Sequence, residues 1–478
     1  MQTIFEKSIK GRRACQLSEP IGTESELPND LIRSELNLPE VSEVDIVRHY
    51  TKLSKRAFGV DDGFYPLGSC TMKYNPKINE DMASLPEITN FHPWQSDEDS
   101  QGSLEILYNL QEYLKKVTGF SGVTLQPAAG AHGELTGVMV MKAYHEDLGN
   151  VKRTKILIPD SAHGTNPATA TMCGFETVQV PSDTHGGVDI TKMKELLDDE
   201  TAGMMLTIPN TLGLFDKNIL EISKLLHDNG SLLYMDGANL NAILGMVKPA
   251  EMGVDVMHIN LHKTFSTPHG GGGPGGGVLM STKTLESFLP APKIEKSGEK
   301  FHLNFDLPKS IGRIRAFYGN FGIDVRAYTY ILRLGKEGTL RVGRNAVLNA
   351  NYIRARLEEH YHLPYKVNCM HEVVFNDEKQ EKYHVSTMDI AKKLLDYGFH
   401  APTIYFPMIV HGALMIEPTE TESKQTMDEF IDVMIHIAEE AKVNPTSIQK
   451  APINTVVKRV DGVKAARNPV IVCNSCCS

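Results

Sequence analysis

Hydrophobic and polar residues alternate along this chain with two different periods. In segment 104–117 the leucines recur every three or four positions, which is the spacing of an amphipathic helix. Short apolar runs that end at turn-forming residues follow, as in buried strands. Strands are predicted at 155–158, 175–180, 203–208 and 231–235, and helices at 135–145, 190–197 and 219–227. Repeated β-α units of this kind predict a mostly parallel sheet covered by helices on both faces.

The pattern changes near residue 330. Residues 331–360 predict a long helix, which leads to a second, smaller α/β unit. In that unit Ser386 and Asp389 have the spacing of a capping box, and the helix that they begin is expected to end at Gly398. We expect an N-terminal arm (1–100), a large α/β domain (101–330), a small C-terminal α/β domain (331–450) and a tail (451–478).

Composition and charge narrow the class of protein. Of the 478 residues, 41% are hydrophobic and 23% are charged, which is ordinary for a globular protein. The formal net charge of −10 argues against nucleic acid or an anionic membrane as a general partner. No apolar run approaches the roughly 20 residues that cross a bilayer, and the first residues lack the layout of a secretory signal. We therefore expect a cytoplasmic protein with no nucleic-acid or membrane partner.

The cysteines do not form a disulfide or metal pattern. The chain has 7 of them, an odd number scattered over a long sequence. Cys473, Cys476 and Cys477 cluster at the C-terminus, but no second pair and no histidine set accompanies them. A frayed terminus is favoured there over a metal or redox site, and no metal is predicted.

A lysine and an aspartate carry the most informative chemistry. Asp236 ends the apolar run 231–235, and Lys263 follows a second strand-like run. A lysine amine can form a Schiff base with pyridoxal 5′-phosphate (PLP), while a carboxylate pairs with the pyridine nitrogen so that the ring accepts electrons. A surface lysine beside a flexible loop is the alternative, and the features upstream argue against it. We predict PLP bound covalently to Lys263, with Asp236 as the partner of the pyridine nitrogen.

The segment 126–134 predicts where the cofactor phosphate would bind. Small residues precede a predicted helix there, and they let backbone N–H groups at the helix N-terminus approach an anion. We assign Ala129, Gly130 and Ala131 to the phosphate. A tight strand-to-helix turn without a ligand is the alternative for this segment taken alone.

Three further loops follow predicted strands and supply candidates for the cofactor ring. The imidazole of His163 could lie flat on the pyridine ring, with Ala238 against the opposite face. The hydroxyl of Thr211, or less favourably Asn210, could donate to the phenolic oxygen of the ring. His262 could contact the phosphate or assist proton transfer. The glycine run 270–277 after the lysine is expected to bring backbone close to a ligand or to allow loop movement rather than to serve as a linker.

The order of phosphate loop, stacking histidine, aspartate and lysine is the pattern of fold-type I PLP enzymes. Seven motifs make the resemblance more specific, namely 66–73, 126–134, 161–167, 209–213, 235–239, 261–265 and 416–420. Over nearly the whole chain they resemble subunit 2 (β) of the glycine cleavage system P-protein in its two-subunit form. Ala128 and His132 depart from the residues expected in that family, and the cysteine-rich tail is also unexpected.

The resemblance implies the activity of a glycine dehydrogenase (aminomethyl-transferring). Glycine would lose CO2, and its aminomethyl group would pass to the lipoyl disulfide of the H-protein. The implied catalytic set is Lys263, His163, Asp236 and His262, with the lysine or a neighbouring histidine moving protons. Ser69, Thr71 and His92 are candidates for the substrate and lipoyl channel. The resemblance also implies a partner subunit 1 in an α2β2 heterotetramer.

Two other functions remain open from the sequence. The chain could be another fold-type I PLP amino-acid decarboxylase that releases a free amine. It could also be a non-catalytic partner that keeps the fold without the chemistry, although Lys263 and Asp236 argue against that.

Overall fold

The computed structural model describes residues 2–15, 27–34, 36, 38–92, 95–269 and 275–471. The tail cysteines Cys473, Cys476 and Cys477 and the segment 270–274 of the glycine run lie outside this set. The chain divides into two units, one made of 1–63 with 456–478 and one made of 64–455. Residues 64–100, which we expected in the N-terminal arm, are thus grouped with the larger unit. The division of the chain into four segments stays a prediction.

The strands form as the apolar runs indicated. In the described part of the chain they are β1 (Gly122–Thr124), β2 (Lys155–Pro159), β3 (Glu176–Val180), β4 (Thr201–Thr207), β5 (Leu232–Asp236), β6 (Val256–Asn260), β7 (Gly277–Ser281), β8 (Lys293–Ser297), β9 (Lys300–Asn304), β10 (Val373–Asn376), β11 (Thr403–Ile404) and β12 (Ala413–Ile416). The predicted strand 203–208 begins earlier, at Thr201, and all of β4 is buried. Continuous burial of this kind is typical of a central strand covered on both faces.

The helices likewise follow the predicted stripes. They are α1 (Glu43–Ser54), α2 (Lys77–Ala83), α3 (Pro86–Thr89), α4 (Gln101–Thr118), α5 (Gly130–Asp147), α6 (Thr165–Met172), α7 (Ile190–Leu196), α8 (Ile219–Asp228), α9 (Leu261–Thr264), α10 (Phe321–Leu357), α11 (Glu378–Glu381), α12 (Thr387–Asp396), α13 (Lys424–Val443), α14 (Pro445–Gln449) and α15 (Gly462–Arg467). The capping box at Ser386 and Asp389 is confirmed. Within the described ranges, no helix combines the length and the apolar character needed to cross a bilayer.

One seven-stranded sheet organises the larger unit. Its order is β1-β7-β6-β5-β4-β2-β3. The pairs from β3 to β6 are parallel, and β7 runs antiparallel to both of its neighbours. The leucines of α4 that formed the predicted stripe are buried in the hydrophobic core beside this sheet. In a parallel sheet the carboxyl ends of the strands meet at one edge, which is where ligands bind.

A second core surrounds a three-stranded antiparallel sheet of order β10-β12-β11. The long helix α10 leads into it and begins earlier than predicted, at Phe321. Its helical geometry is interrupted at Gly335, whose φ of 59° is available to glycine without strain. The pairing of Val373 with Ile416 sets the register between β10 and β12. This register places the residues that flank the two strands beside each other.

The unit of 1–63 and 456–478 contains α1 and α15. Ser42 caps the N-terminus of α1, where its side chain accepts a hydrogen bond from the backbone N–H of Asp45 at 3.3 Å. An exposed ion pair joins Arg12 to the Asp45 carboxylate at 3.1 Å.

Candidate active site

Several predicted site residues come together at the carboxyl edge of the large sheet. Asp236 is the last residue of β5, and Lys263 lies on the short helix α9, which directly follows β6. The helix α5 begins at Gly130. These elements enclose a cavity of ≈190 Å³. The predicted residues that line it are Ser69, Gly130, Ala131, His163, Thr211, Asp236, Ala238 and Lys263.

Five predicted residues do not line this cavity. Asn210 is buried, and its side-chain amide donates to the carbonyl of Gly186 at 2.6 Å. Ala129 precedes the cavity-lining Gly130 as the N-cap residue of α5. His262 lies beside Lys263 but faces His269, with 4.9 Å between the ring centroids. Thr71 is buried against Glu417. His92 is exposed and makes an edge-on contact with Phe317.

The electrostatics of Asp236 follow from its burial and its neighbours. Its side chain is buried, and burial by itself would raise its pKa. The His258 ring, the Ala238 N–H, Lys263 and Asn166 together outweigh that effect and hold the pKa below its ordinary value. Nε2 of His258 lies 3.3 Å from Oδ1, and the Ala238 N–H donates to the same oxygen at 2.9 Å. The carboxyl group is therefore ionised at neutral pH although it is buried.

Lys263 points to the loop at 68–73. Its Nζ donates a hydrogen bond to the backbone carbonyl of Ser69 at 2.9 Å. Ser69 has a φ of 63°, in the left-handed region that residues other than glycine rarely adopt. The loop thus supplies a fixed acceptor for the lysine ammonium group.

The side chains predicted to contact the cofactor ring are held by local hydrogen bonds. Nδ1 of His163 lies 2.8 Å from the hydroxyl oxygen of Thr165 and accepts the Thr165 backbone N–H at 3.2 Å. The Thr211 hydroxyl donates to the carbonyl of Ser161. A donor role for Thr211 toward a ligand would therefore require its hydroxyl to rotate away from that carbonyl.

The start of α5 has the features of an anion site. A Cβ atom at Gly130 would overlap the side-chain amide of Asn260, so only glycine permits this close approach. Buried oxygen Oδ1 of Asn260 and buried nitrogen Nδ1 of His262 have no hydrogen-bond partner among the described residues. Burial, with help from His269, Lys263 and His258, lowers the pKa of His262 to about 3. With so low a pKa the His262 ring is neutral, so one ring nitrogen donates a hydrogen bond and the other accepts one.

Sequence reasoning missed three residues that complete the site. Asn166 donates to Oε1 of Glu134 at 3.0 Å and to Oδ2 of Asp236 at 3.3 Å. Both partners are buried, and so is His258, whose position in β6 is opposite Asp236 in the strand register. Glu134 and Asn166 fell within motifs that were recognised but received no role. His258 is an inward-facing polar residue in an apolar strand, and this signal was available.

Two models of known protein families match this chain. The family model described as "Glycine cleavage system P-protein" matches residues 4–297, and that described as "Glycine dehydrogenase, C-terminal domain" matches residues 342–459. The chain belongs to the glycine cleavage system P-protein family. The family, the fold class and the enzyme class predicted from the sequence are thereby confirmed.

Relatives of this P-protein family member match it from end to end. It is 55% identical to the probable glycine dehydrogenase (decarboxylating) subunit 2 of Caldanaerobacter subterraneus subsp. tengcongensis, with 98% of each chain covered. It is 57% identical to the protein of the same description from Alkaliphilus oremlandii, covering 98% of this chain and 97% of the relative.

Solved structures agree with this P-protein in fold. A crystal structure of glycine decarboxylase (P-protein) in inhibitor-bound form superposes with a TM-score of 0.72 at 18% identity, covering 86% of this chain and 93% of that one. A cysteine desulfurase from Thermococcus onnurineus NA1 superposes with a TM-score of 0.60 at 18% identity, covering 79% and 95%. At this identity the likeness concerns the fold alone.

Proposed function

We propose that this chain is the PLP-carrying subunit of a glycine decarboxylase. The observation that carries the proposal is one cavity into which three features converge. They are the ionised Asp236 carboxylate at the end of β5, Lys263 on α9 and the N-terminus of α5 at Gly130. These are the three groups that a PLP site requires.

The residues present fit PLP. The N–H groups at the start of α5, with Gly130 and Ala131, would bind the phosphate, and Asn260 lines the same cavity. Asp236 would hold a proton on the pyridine nitrogen, because its lowered pKa keeps it ionised. His163 and Ala238 line the same cavity from different loops and would cover the two faces of the ring.

PLP, when bound, supplies an electron sink for the negative charge that forms as glycine loses its carboxyl group. The side chains of the protein would transfer protons and exclude water. Lys263 lines the cavity, and its Nζ would accept and return the proton. The buried Glu134, Asn166 and Asp236 form a hydrogen-bonded chain that keeps the Asp236 carboxylate in place.

The reaction that we propose continues to the lipoyl group of the H-protein. Glycine loses CO2, and the remaining aminomethyl group forms a bond to one sulfur of the lipoyl disulfide. The S–S bond breaks, and the second sulfur takes up a proton as a thiol, so the disulfide is the oxidant that is reduced. Ser69 lines the cavity and is a candidate for the channel, whereas Thr71 is buried behind it. That His92 belongs to such a channel stays a prediction.

Partners and location belong to the same proposal. Relatives that match over 98% of this chain are described as "subunit 2", which supports a partner subunit 1. An assembly of two copies of each subunit stays a prediction. Location in the cytoplasm stays a prediction from the sequence. Chromatographic mass measurement of the co-expressed subunits would test the heterotetramer.

The decisive experiment is exchange of labelled bicarbonate into the carboxyl group of glycine. The assay would use this chain with its subunit 1 and lipoylated H-protein, and would compare the wild type with Lys263→Ala. Lys283→Ala is the matched control, because Lys283 is a largely exposed lysine that pairs with Glu286. We expect exchange in the wild type and the control and none in Lys263→Ala.

A second measurement separates cofactor attachment from activity. Borohydride reduction followed by peptide mapping should place PLP on the peptide that contains Lys263. A reduced label elsewhere would contradict the site. A correct label with no exchange of any kind would contradict glycine as substrate and leave the cofactor site standing.

A further inference from the structure

A second cluster of buried polar groups lies outside the proposed cofactor site. His371, Glu372 and Glu417 have no exposed surface, and one ligand atom from each lies within 4.8 Å of the others. Glu372 directly precedes β10 and Glu417 directly follows β12. Since Val373 pairs with Ile416 in the antiparallel register, the two glutamates are cross-strand neighbours. The fold therefore forces two carboxyl groups into one dry space.

These carboxyl groups bind the loop that reaches Lys263. The Ser69 N–H donates to Oε2 of Glu372 at 2.7 Å. Oε2 of Glu417 accepts the Cys70 and Thr71 N–H groups at 3.2 and 2.8 Å, and its Oε1 accepts the Thr71 hydroxyl at 2.6 Å.

The loop conformation needs such support. Ser69 and Thr71 have φ values of 63° and 49°, and residues other than glycine are disfavoured there. Gly68 packs so closely on Met415 of β12 that a Cβ would overlap that side chain. Thr403 donates to the Gly68 carbonyl at 2.8 Å. The second domain core therefore determines where the loop lies.

The same loop presents its carbonyl group to the lysine. Ser69 gives its N–H to Glu372 and its C=O to Nζ of Lys263, the latter at 2.9 Å. A displacement of Glu372 would thus be transmitted to Lys263 through Ser69 alone, and a displacement of Glu417 through Cys70 and then Ser69.

If both carboxyl groups were ionised, the cluster would hold more negative charge than the neighbouring positive charge can neutralise. The titratable groups that act on the pair are Lys263, Cys70, Cys369 and His371, together with the buried Lys73, which is paired with Glu420. Burial raises the pKa of the Cys369 thiol to about 12, so that thiol is neutral. Burial lowers the pKa of His371 to about 3, so its ring is neutral. Burial raises the pKa of the Cys70 thiol to about 11, so it is neutral as well. Two carboxylates in one buried site retain a proton between them when so little positive charge is available.

The hydrogen bonds indicate which carboxyl group holds that proton. Burial and the neighbouring Glu417 charge raise the pKa of Glu372 well above its ordinary range. Burial also raises the pKa of Glu417, but the Thr71 and Cys70 donors and Lys263 oppose that rise. Oε1 of Glu372 has no partner among the described residues and lies 3.8 Å from Nε2 of His371, which is also unpartnered. The free oxygen of Glu372 is the place for the proton.

We propose that Glu372 and Glu417 are positioning residues that share one proton and hold the Ser69–Thr71 loop so that the Ser69 carbonyl orients Lys263. This rests on the proposed function only in taking Lys263 as the cofactor lysine. In it, Glu372 acts as a neutral acceptor for one N–H, and Glu417 acts as the ionised acceptor of three donors.

The test compares Glu372→Gln with Glu417→Gln in the assembled holoenzyme. Glutamine copies a protonated glutamate, so Glu372→Gln should change amide hydrogen exchange of residues 68–73 by less than about twofold. Glu417→Gln removes a charged acceptor and should speed that exchange on the order of tenfold. The matched control is Glu440→Gln, which alters a part-buried carboxyl group paired with Lys393 away from the loop.

Two spectroscopic readouts report on the proton itself. Infrared difference spectra of wild type minus Glu372→Gln should contain the carbonyl band of a protonated carboxyl group. The visible absorption of PLP on Lys263 should keep its pH midpoint in Glu372→Gln. In Glu417→Gln the midpoint should fall by about one pH unit, because a negative charge near the lysine nitrogen has been removed. A merely structural role would move the midpoint in neither variant.

Opposite results would overturn the proposal. Equal exchange in both variants would exclude the unequal roles, and unchanged exchange in Glu417→Gln would exclude loop holding. A stoichiometric metal ion in the purified protein, lost in His371→Ala, would make the cluster a metal site instead. If Glu417→Gln does not fold, Thr71→Val removes one donor at constant shape and should give an intermediate rise in exchange. If Lys263 carries no PLP, only the absorption readout disappears, whereas exchange and infrared spectra still test the pair.

Discussion

His258 and Asp236 occupy opposite positions on the adjacent parallel strands β6 and β5, and Nε2 of His258 lies 3.3 Å from Oδ1 of Asp236. Nδ1 of His258 forms a hydrogen bond with the hydroxyl of Tyr234. The Tyr234 side chain is fully buried. Tyr234, His258 and Asp236 thus form a chain that ends at the proposed partner of the pyridine nitrogen. This arrangement comes from strand geometry and register, because Tyr234 and Asp236 are alternate residues of β5 and His258 is opposite Asp236 on β6.

Replacing His258 should weaken cofactor binding. In His258→Phe the Asp236 carboxylate loses a partner while it remains buried, so its pKa should rise and its pairing with the pyridine nitrogen should weaken. We expect the dissociation constant of PLP to increase about tenfold, the equivalent of about 1.4 kcal/mol. Absorbance titration of the cofactor-free protein measures it. Tyr234→Phe, which removes only the outer member of the chain, should have a smaller effect, and an equal effect would contradict this order.

Gly130→Ala tests the anion site at the start of α5. The new Cβ would overlap the Asn260 amide, so the first turn of the helix must move away from the phosphate position. We expect PLP affinity to fall by about tenfold or more in the same titration. Gly102→Ala is the matched control, because Gly102 is also helical and has nothing within 4 Å of an added Cβ. Equal affinities in the two variants would argue against phosphate binding at this helix.

Lys73→Met tests the buried ion pair beneath the active-site loop. Nζ of Lys73 lies 2.7 Å from Oε1 of Glu420, and it also donates to the carbonyl of Thr264, next to Lys263, at 2.8 Å. The substitution leaves a buried carboxylate unpaired, so the free energy of unfolding should fall by about 3–5 kcal/mol. Chemical denaturation would measure this change. Lys192→Met breaks an exposed pair with Glu195 and should leave the free energy of unfolding nearly unchanged.

His227 should contribute stability in acid and not in alkali. Its hydrogen bond with Asp255, at 2.8 Å, raises its pKa above the usual value of 6.5. A raised pKa in the folded state means that the contribution is fully present below pH 6.5 and is lost as the pH rises through the folded value. The side chain is 41% exposed, so solvent screening limits the contribution to about 0.5 kcal/mol.

The difference in unfolding free energy between wild type and His227→Gln isolates this contribution from that of the other histidines. It should be larger at pH 5.5 than at pH 8.5. A difference that grows with pH would contradict the direction of the pKa shift.

Much of the fold was open to prediction because its signals are local. The stripe of α4, the apolar run of β4 and the capping box of Ser386 are each contained within a few consecutive residues. Strand ends also predicted that Asp236 and Lys263 would lie near each other, since the carboxyl ends of parallel strands share an edge. The long helix α10 begins earlier than its pattern indicated, at Phe321, because Ile323 and Ala327 are buried in the core beside the seven-stranded sheet.

The sequence by itself determined the fold class, the family and the lysine and aspartate that make a PLP site possible, because periodicity and motifs are properties of neighbouring residues. Only the tertiary structure decided which other side chains meet them. His258 reaches Asp236 through the register of two strands, and Glu372 reaches Glu417 and Ser69 through a sheet in another part of the chain. Such contacts join residues on different elements, 303 positions apart for Ser69 and Glu372, and the energy of packing and burial selects them in a way that no local pattern records.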